Sequence, residues 1–382
     1  VLLLAASDQF NGNPAYANVV NTDGKHLFST RKDPEKWNKA AQAAKDVIDL
    51  GIFDLYKEYH TDGTLDPYLS CRNVFLENWN SEVMMVRISN YLKHWERSAS
   101  PRQFSGYESM GATQQLVDAF RMKDGTAITP DKESGYSKAN YSDPKSGWVF
   151  APAGTRNMFV NREPRFYAWV CYDGGEYSSF IADGSPLILE ARNSQKHGYN
   201  PDRYNRDNNA TGYFSKKRIQ PNFQWRSQDN GNNYAHTPLA VIRLAELYLN
   251  LAECHAALNS KQDVLDNLNI VRNRAGIPDL ELSDINSDMS LMDWVRSERY
   301  AELWFEGHRY FDARRWTIAP EVFKAGVREG LNAIAKKDPS FREFNQRVKV
   351  DQPFMWNNKM YLLPINDSEI YSNPQLVQSP EY

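Results

Sequence analysis

Residues 237–278 read TPLAVIRLAELYLNLAECHAALNSKQDVLDNLNIVRNRAGIP, and their periodicity decides the fold. Thr237-Pro238 is a helix-start signal, a capping hydroxyl followed by Pro at the first helical position, where the missing N–H is not needed. Behind it Val241, Leu244, Ala245, Tyr248 and Ala252 recur at helical spacing, while Arg243, Glu246, Asn250 and Glu253 form a polar stripe. A turn at Asn259-Ser260 leads into a second helix carrying Val264, Leu265, Leu268 and Val271, which stops at Gly276 with Pro278 beyond. Two helices joined by a short turn, with small Ala residues at the facing positions, form a close-packed hairpin of the tetratricopeptide type.

The pattern recurs upstream. Asp33-Pro34 starts a helix carrying Trp37, Ala40, Ala41, Ala44 and Ile48, and Gly51 suits its stop. With Val1–Asn11 it makes a second expected unit. A third helical block, rich in charge, runs from about Met289 to Trp316. Between these blocks, residues 128–164 and 190–236 are dominated by Gly, Asn, Asp, Ser, Pro and Tyr. Short apolar runs at Val83–Ile88, Phe166–Cys171 and Met360–Leu363 read as strands. The expected fold is therefore mainly α, a single unit built as a scaffold of tetratricopeptide-like helical hairpins. The scaffold takes about residues 1–56, 237–276 and 289–335. A loop-rich, ligand-facing part with a few short strands takes 57–236, and a C-terminal segment takes 336–382.

Composition narrows the function. The 382 residues carry 45 Lys+Arg against 48 Asp+Glu, a net charge of −3, which argues against a nucleic-acid groove. Cys71, Cys171 and Cys254 are too few for a disulfide framework and form no C-x-x-C; the spacing leaves open whether Cys71 pairs with Cys171. The apolar run Val1–Ala6 is too short to span a membrane and lacks the flanks of a signal peptide. The chain starts without Met and inside a helical pattern, so it is expected to be the later part of a longer protein.

No spacing for a phosphate loop, a dinucleotide fold, a zinc protease or a nucleophile elbow occurs. The histidines are scattered without ligand-like pairs, so no metal residue is assigned. Glu298, Glu302 and Glu306 share one helical face and could do acid/base work on a glycosidic bond. Against that stand Arg296, Arg299, Arg309, Arg314 and Arg315, with Glu306–Arg309 as an i, i+3 pair. Arginine-paired carboxylates stay ionised, which is wrong for a general acid, so an ion-pair network is the preferred reading and no catalytic residue is assigned. Asp202, Asn205, Asp207, Asn208 and Asn209 offer oxygen ligands of the kind Ca²⁺ takes, but without the Gly and closing Glu of an EF-hand. A solvated turn is the simpler reading; a structural calcium ion is the one cofactor the pattern leaves open.

The loops are unusually aromatic. Aromatics make up 13% of the chain, with 10 Trp and 21 Tyr, and many of these rings lie beside turn residues rather than in helical stripes. Trp95, Tyr136, Tyr141, Trp148, Tyr177, Tyr199, Tyr204, Tyr213 and Trp225 fall in or next to the irregular stretches. A pyranose has an apolar C–H face and a hydroxyl rim; rings stack on the first and polar side chains bond the second. Asn200, Asp202, Arg203, Asn205 and Arg206 supply such groups around Tyr204. The competing reading is that each ring merely anchors its loop. The glycan-binding set read from the sequence is Trp95, Tyr136, Tyr141, Trp148, Tyr177, Tyr199, Asn200, Asp202 and Tyr204.

Several blocks together resemble the RagB/SusD family of surface glycan-binding lipoproteins. They are Thr237–Leu258, LNIVRNRAGIP (Leu268–Pro278), SERYAELWFEGHRYFDARRW (Ser297–Trp316) and the closing YLLPINDSEIYSNPQLVQSPEY (Tyr361–Tyr382). LVDAFRMKDG (Leu116–Gly125), NREPRFYAWV (Asn161–Val170) and GYFSKK (Gly212–Lys217) add three more. Glu163 stands where Asp is usual, and the chain ends in Glu-Tyr rather than Gly-Tyr or Gly-Trp. The resemblance implies a tetratricopeptide-like fold without catalytic activity, lipid-anchored on the outer face of the outer membrane in Bacteroidetes. It implies delivery of oligosaccharides to a SusC-like TonB-dependent transporter. It also implies an N-terminal helix pair and a lipidated Cys that these 382 residues do not include, and it assigns no ligand residue. The alternatives are a transporter lid or scaffold handling peptides or another nutrient, and, less favoured, a glycoside hydrolase using Glu302 or Glu306.

Overall fold

The computed structural model describes residues 1–77, 79–88, 91–102, 106–180, 186–204, 207–221, 238–350 and 355–382, with the side chains of 91–94 and 178–180 excepted. Among the sequence-flagged residues, Trp225, Asn205, Arg206 and Thr237 lie outside the described set.

The fold is mainly helical, with fourteen α-helices and only two-stranded sheets among the described residues. The hairpin read from the sequence is its centre. Helices Leu244–Ala257 and Lys261–Ala275 pack antiparallel, burying Leu244, Ala245, Leu249 and Ala252 against Val264, Leu265, Leu268 and Val271. Leu291, Trp294 and Val295 of helix Leu291–Glu302 complete this core. On the opposite flank, Ala40, Ala41 and Ala44 of helix Glu35–Asp49 meet Leu251 and Cys254, the small side chains allowing close approach. The hairpin turns at Asn259, in the left-handed region at φ 58. It ends at Gly276 with φ 72, whose N–H bonds the Arg272 and Asn273 carbonyls. A Cβ there would lie 2.5 Å from Pro67 Cγ, so glycine is required both by the backbone and by its neighbour.

Three local readings are corrected. Leu239–Arg243 is a strand, paired antiparallel with Val83–Arg87, and the helix starts only at Leu244. Extended backbone carries the Arg243 guanidinium into the interior, where its partners wait; a helix begun at Pro238 would not. Phe166–Cys171 is not a strand throughout: Pro164–Trp169 is a helix buried on all sides, and only Val170–Cys171 pairs, with Phe214–Ser215. An element with no solvent face shows no periodicity to read. Met360–Leu363 overlaps a 3₁₀ turn, Asn358–Tyr361, capped by the Asn357 side chain.

The loop-rich part has its own core, and rings form it. Phe120, Phe159, Phe166, Trp169, Tyr172, Tyr177, Tyr213 and Phe214 are all buried in one cluster. Cys71, Cys171 and Cys254 are buried free thiols.

Between the two cores runs a buried ion network. Arg243 bonds Glu82 and Glu302, each at 2.7 Å, and Glu306 at 2.7 Å. Arg165 bonds Glu163 at 2.7 Å and Glu302 at 2.9 Å; Arg274 bonds Glu82 at 3.0 Å and also Glu302. Arg272 holds Glu298 at 3.2 Å and Lys217 holds Glu306 at 2.7 Å. All these side chains are 5% exposed or less, so the helical scaffold and the loop-rich part are joined through desolvated charge. The expected Glu306–Arg309 pair is not formed. Helix Leu291–Glu302 ends before Glu306, which turns inward to Arg243, and Arg309 stacks on Tyr300 at 4.1 Å instead.

Candidate functional site

Glu302 and Glu306 are excluded as surface catalysts by this network. Burial alone would push their carboxyls up, but the surrounding guanidiniums and the Lys217 ammonium overturn it and hold both well below the usual carboxylate range. A carboxylate that stays ionised and is sealed from solvent neither donates a proton nor meets a substrate.

An open concavity of about 460 Å³ forms where residues 173–174 and 188–193 face Asp338 and Pro339. Strand Pro186–Ile188 pairs with Glu176–Phe180 and delivers the chain to this surface. The following loop is shaped by its own side chains. The Glu190 N–H donates to His197 Nδ1 at 3.0 Å, Asn193 Nδ2 donates to Glu190 at 3.1 Å, and Asn200 Nδ2 donates to the Ser194 carbonyl at 3.0 Å. Arg102 reaches in from a distant segment to bond the Asp207 carbonyl at 2.7 Å and the Gly198 carbonyl, with its guanidinium 4.4 Å from the Tyr204 ring. Burial, and then Arg102, push the His197 imidazole down to about 4, so it stays neutral and can accept. Burial also raises Glu108, the ion partner of Arg102 at 2.9 Å, to about 8.

Both oxygens of Asp338 fasten the opposite wall, accepting from the Ser194 N–H at 2.7 Å and its hydroxyl at 2.8 Å. These bonds lower the Asp338 carboxyl. Arg192 Nε donates to Asp173 at 2.6 Å, and the guanidinium lies 5.4 Å from the Phe341 ring. Phe341 meets Tyr136 edge-on at 6.4 Å, and Tyr136 is 62% exposed. The arrangement is a polar trough beside a ring shelf: carboxylate and amide oxygens, guanidinium N–H groups, the exposed Ile188 side chain and an open phenol face. Such a surface matches a flat ligand with one apolar face and a rim of hydroxyls.

The sequence-flagged residues divide. Tyr136 is exposed and reaches the trough only through Phe341, the ring that lies against Arg192. Asp202 is exposed and bonds Lys337 at 2.8 Å, beside Asp338. Tyr199 and Tyr204 are half-buried in the same loop. Asn200 is 3% exposed and spends its amide holding the loop, so it supports the wall rather than touching a ligand. Tyr177 is a correction of the same kind. It is fully buried, its hydroxyl donates to the Ser215 carbonyl at 3.0 Å, and no face is left for stacking.

Trp95, Tyr141 and Trp148 lie elsewhere. Trp95 is half-buried, edge-on to Phe305 at 4.8 Å. Tyr141 packs on Phe150 and Tyr167, where burial pushes its phenol up to about 12. Trp148 leans on Tyr68 at 5.6 Å over a hollow of only about 10 Å³, no larger than one water needs. Three of the oxygen ligands read as a calcium turn are otherwise engaged: Asp202 bonds Lys337, Asn208 accepts from Arg102, and Asn209 accepts from Thr211 and Gly212. Among the described residues no group of three His, Cys, Asp or Glu could hold a metal ion.

Arg192, Phe341, Asp173 and Asp338 were not flagged by the sequence. Nothing local in Asp173-Gly174 or Asp338-Pro339 says that they face each other. A larger hollow of about 520 Å³ lies beside Lys123 and Asn161.

Comparison with known proteins agrees with this architecture. The SusD family model matches residues 74–382. SusD-like protein P25 of Formosa agariphila is 33% identical over 153 residues, which is 40% of this chain and 25% of that protein, so the match spans about a quarter of its length. The solved structure of BT4246 is 36% identical with a TM-score of 0.82, covering 100% of this chain and 69% of that one. A SusD-like protein (BF3747) from Bacteroides fragilis, 24% identical with a TM-score of 0.67, covers 91% of this chain and 62% of that one and shares the fold. With the family model matched from Val74 to the last residue, on a helical frame shared along its whole length with BT4246, this chain belongs to the SusD family.

Proposed function

We propose that this chain is a non-catalytic receptor for oligosaccharides at the bacterial surface, which passes them to a SusC-like TonB-dependent transporter of the outer membrane. Family membership supports the glycan role. The observation that carries it here is the trough at Arg192 and Asp338, with Phe341 against Arg192 and the exposed Tyr136 ring next to Phe341. Ring and Ile188 take the C–H face of a sugar; Arg192, Asn193 and Glu190 bond its hydroxyls. No step of this reading needs a cofactor, and the Glu302 and Glu306 side chains, 0% and 5% exposed and held by Arg243, argue against the hydrolase alternative that the sequence had raised.

No helix among the described residues is long and apolar enough to cross a membrane. In this reading the chain is held to the outward face of the outer membrane by a lipid anchor outside residues 1–382. Isothermal titration of the chain against a panel of neutral oligosaccharides should give micromolar-to-millimolar binding to at least one class. Tyr136→Ala and Arg192→Ala should each weaken it several-fold. Absence of binding to every class, or binding indifferent to both substitutions, would refute the assignment of the trough.

A further inference from the structure

We infer that the trough selects uncharged, hydroxyl-rich glycans and rejects those bearing carboxylate or sulfate groups. The inference rests on the glycan reading above and adds the class of sugar. Its lining sets three carboxylates, Asp173, Glu190 and Asp338, against a single guanidinium, Arg192. Three cationic heads on or beside the lining are engaged by carboxylates. Arg192 Nε is on Asp173 at 2.6 Å, Lys196 on Glu190 at 3.2 Å and Lys337 on Asp202 at 2.8 Å. The Arg192 side chain is 37% exposed while Asp173 is 8% exposed, so the guanidinium offers N–H groups outward but its charge is already balanced from within.

Asp338 has its two oxygens on a neutral partner, Ser194, and shares its neighbouring cation, Lys337, with Asp202. A hydroxyl entering here finds carboxylate and amide acceptors and guanidinium donors, the inventory a polyol uses. An anionic substituent meets four carboxylates, Asp173, Glu190, Asp202 and Asp338, against three cations, Arg192, Lys196 and Lys337, each already on a carboxylate. A like charge about 5 Å away in a half-open, water-filled surface weakens binding roughly fivefold to tenfold at low salt, and less as salt screens it.

The test uses matched ligands and the full chain. Gluco-, manno- and galacto-hexaoses are titrated beside their 6-carboxylate derivatives, prepared by oxidation, at low and at high salt. The expected result is that the neutral member of each bound pair binds at least about fivefold more tightly at low salt, and that the gap narrows at high salt. Asp173→Asn, which leaves Arg192 unbalanced, should raise the ratio of acidic to neutral affinity severalfold, with circular dichroism verifying the fold. An acidic hexaose that binds as tightly as its neutral parent, or a ratio unmoved by Asp173→Asn, overturns the selectivity and leaves the glycan reading standing. Failure of every hexaose, neutral and acidic, removes both.

Discussion

Glu302→Gln is the most informative single change, because Glu302 joins the helical scaffold to the loop-rich part. Its carboxylate accepts from Arg243 at 2.7 Å, from Arg165 at 2.9 Å and from Arg274, all with no more than 1% side-chain exposure. The connected set holds five carboxylates (Glu82, Glu163, Glu298, Glu302 and Glu306) and five cations (Arg165, Arg243, Arg272, Arg274 and Lys217). Glutamine keeps the shape but leaves one positive charge in excess and turns an NH₂ toward a guanidinium. Removing one member of a buried charge set costs about 3–5 kcal/mol.

Urea unfolding followed by tryptophan fluorescence measures this locally, since the Lys217 ammonium lies 4.0 Å from the Trp169 ring. The pH dependence is a second readout. The Glu302 carboxyl is held well below its ordinary value in the fold, so its contribution is complete above the unfolded value of about 4.3 and is lost as pH falls toward the folded one. The gap between wild type and Glu302→Gln should therefore shrink as the pH falls into acid. A loss below about 1 kcal/mol at pH 7 would refute the claim that desolvated charge couples the two parts.

His197, pushed down to about 4 by burial and Arg102, stabilises the loop fully above its unfolded value of about 6.5 and loses that contribution, about 3 kcal/mol, as pH falls to about 4. His197→Asn, whose side-chain oxygen can replace Nδ1 as the acceptor, should flatten the difference in urea midpoint between pH 7 and pH 4. Gly276→Ala should cost about 2–4 kcal/mol in the same unfolding assay, combining left-handed strain with the clash on Pro67. Tyr177→Phe should lower stability by about 1 kcal/mol, since its hydroxyl bonds the Ser215 carbonyl, yet leave the affinity for any bound oligosaccharide unchanged within error. A change in sugar affinity would show that the buried ring shapes the ligand surface after all.

The legible features were the local ones. Ala spacing, the Asn259-Ser260 turn and the Gly276 stop place the central hairpin because each acts through its nearest neighbours along the chain. The charged face of Glu298 and Glu302 was likewise readable as an ion-pair network. Its partners were not: Arg165, Arg243, Arg274 and Lys217 come from segments 28 to 137 residues away, and no spacing announces them. Leu239–Arg243 was misread as helix for the same reason, since its strand partner lies at Val83–Arg87.

Aromatic content alone could not separate the rings that face solvent from those that face inward. Tyr136 and Tyr177 occupy similar-looking polar, Gly-containing surroundings in the sequence, yet one is 62% exposed and the other fully buried. A ring's exposure depends on what the rest of the chain brings against it. The amino-acid sequence by itself determined the helical frame and the family, because periodicity and turn chemistry are short-range. Only the tertiary structure decided where Asp173, Arg192 and Asp338 meet, because that trough is made by long-range contacts whose members carry no mark of one another.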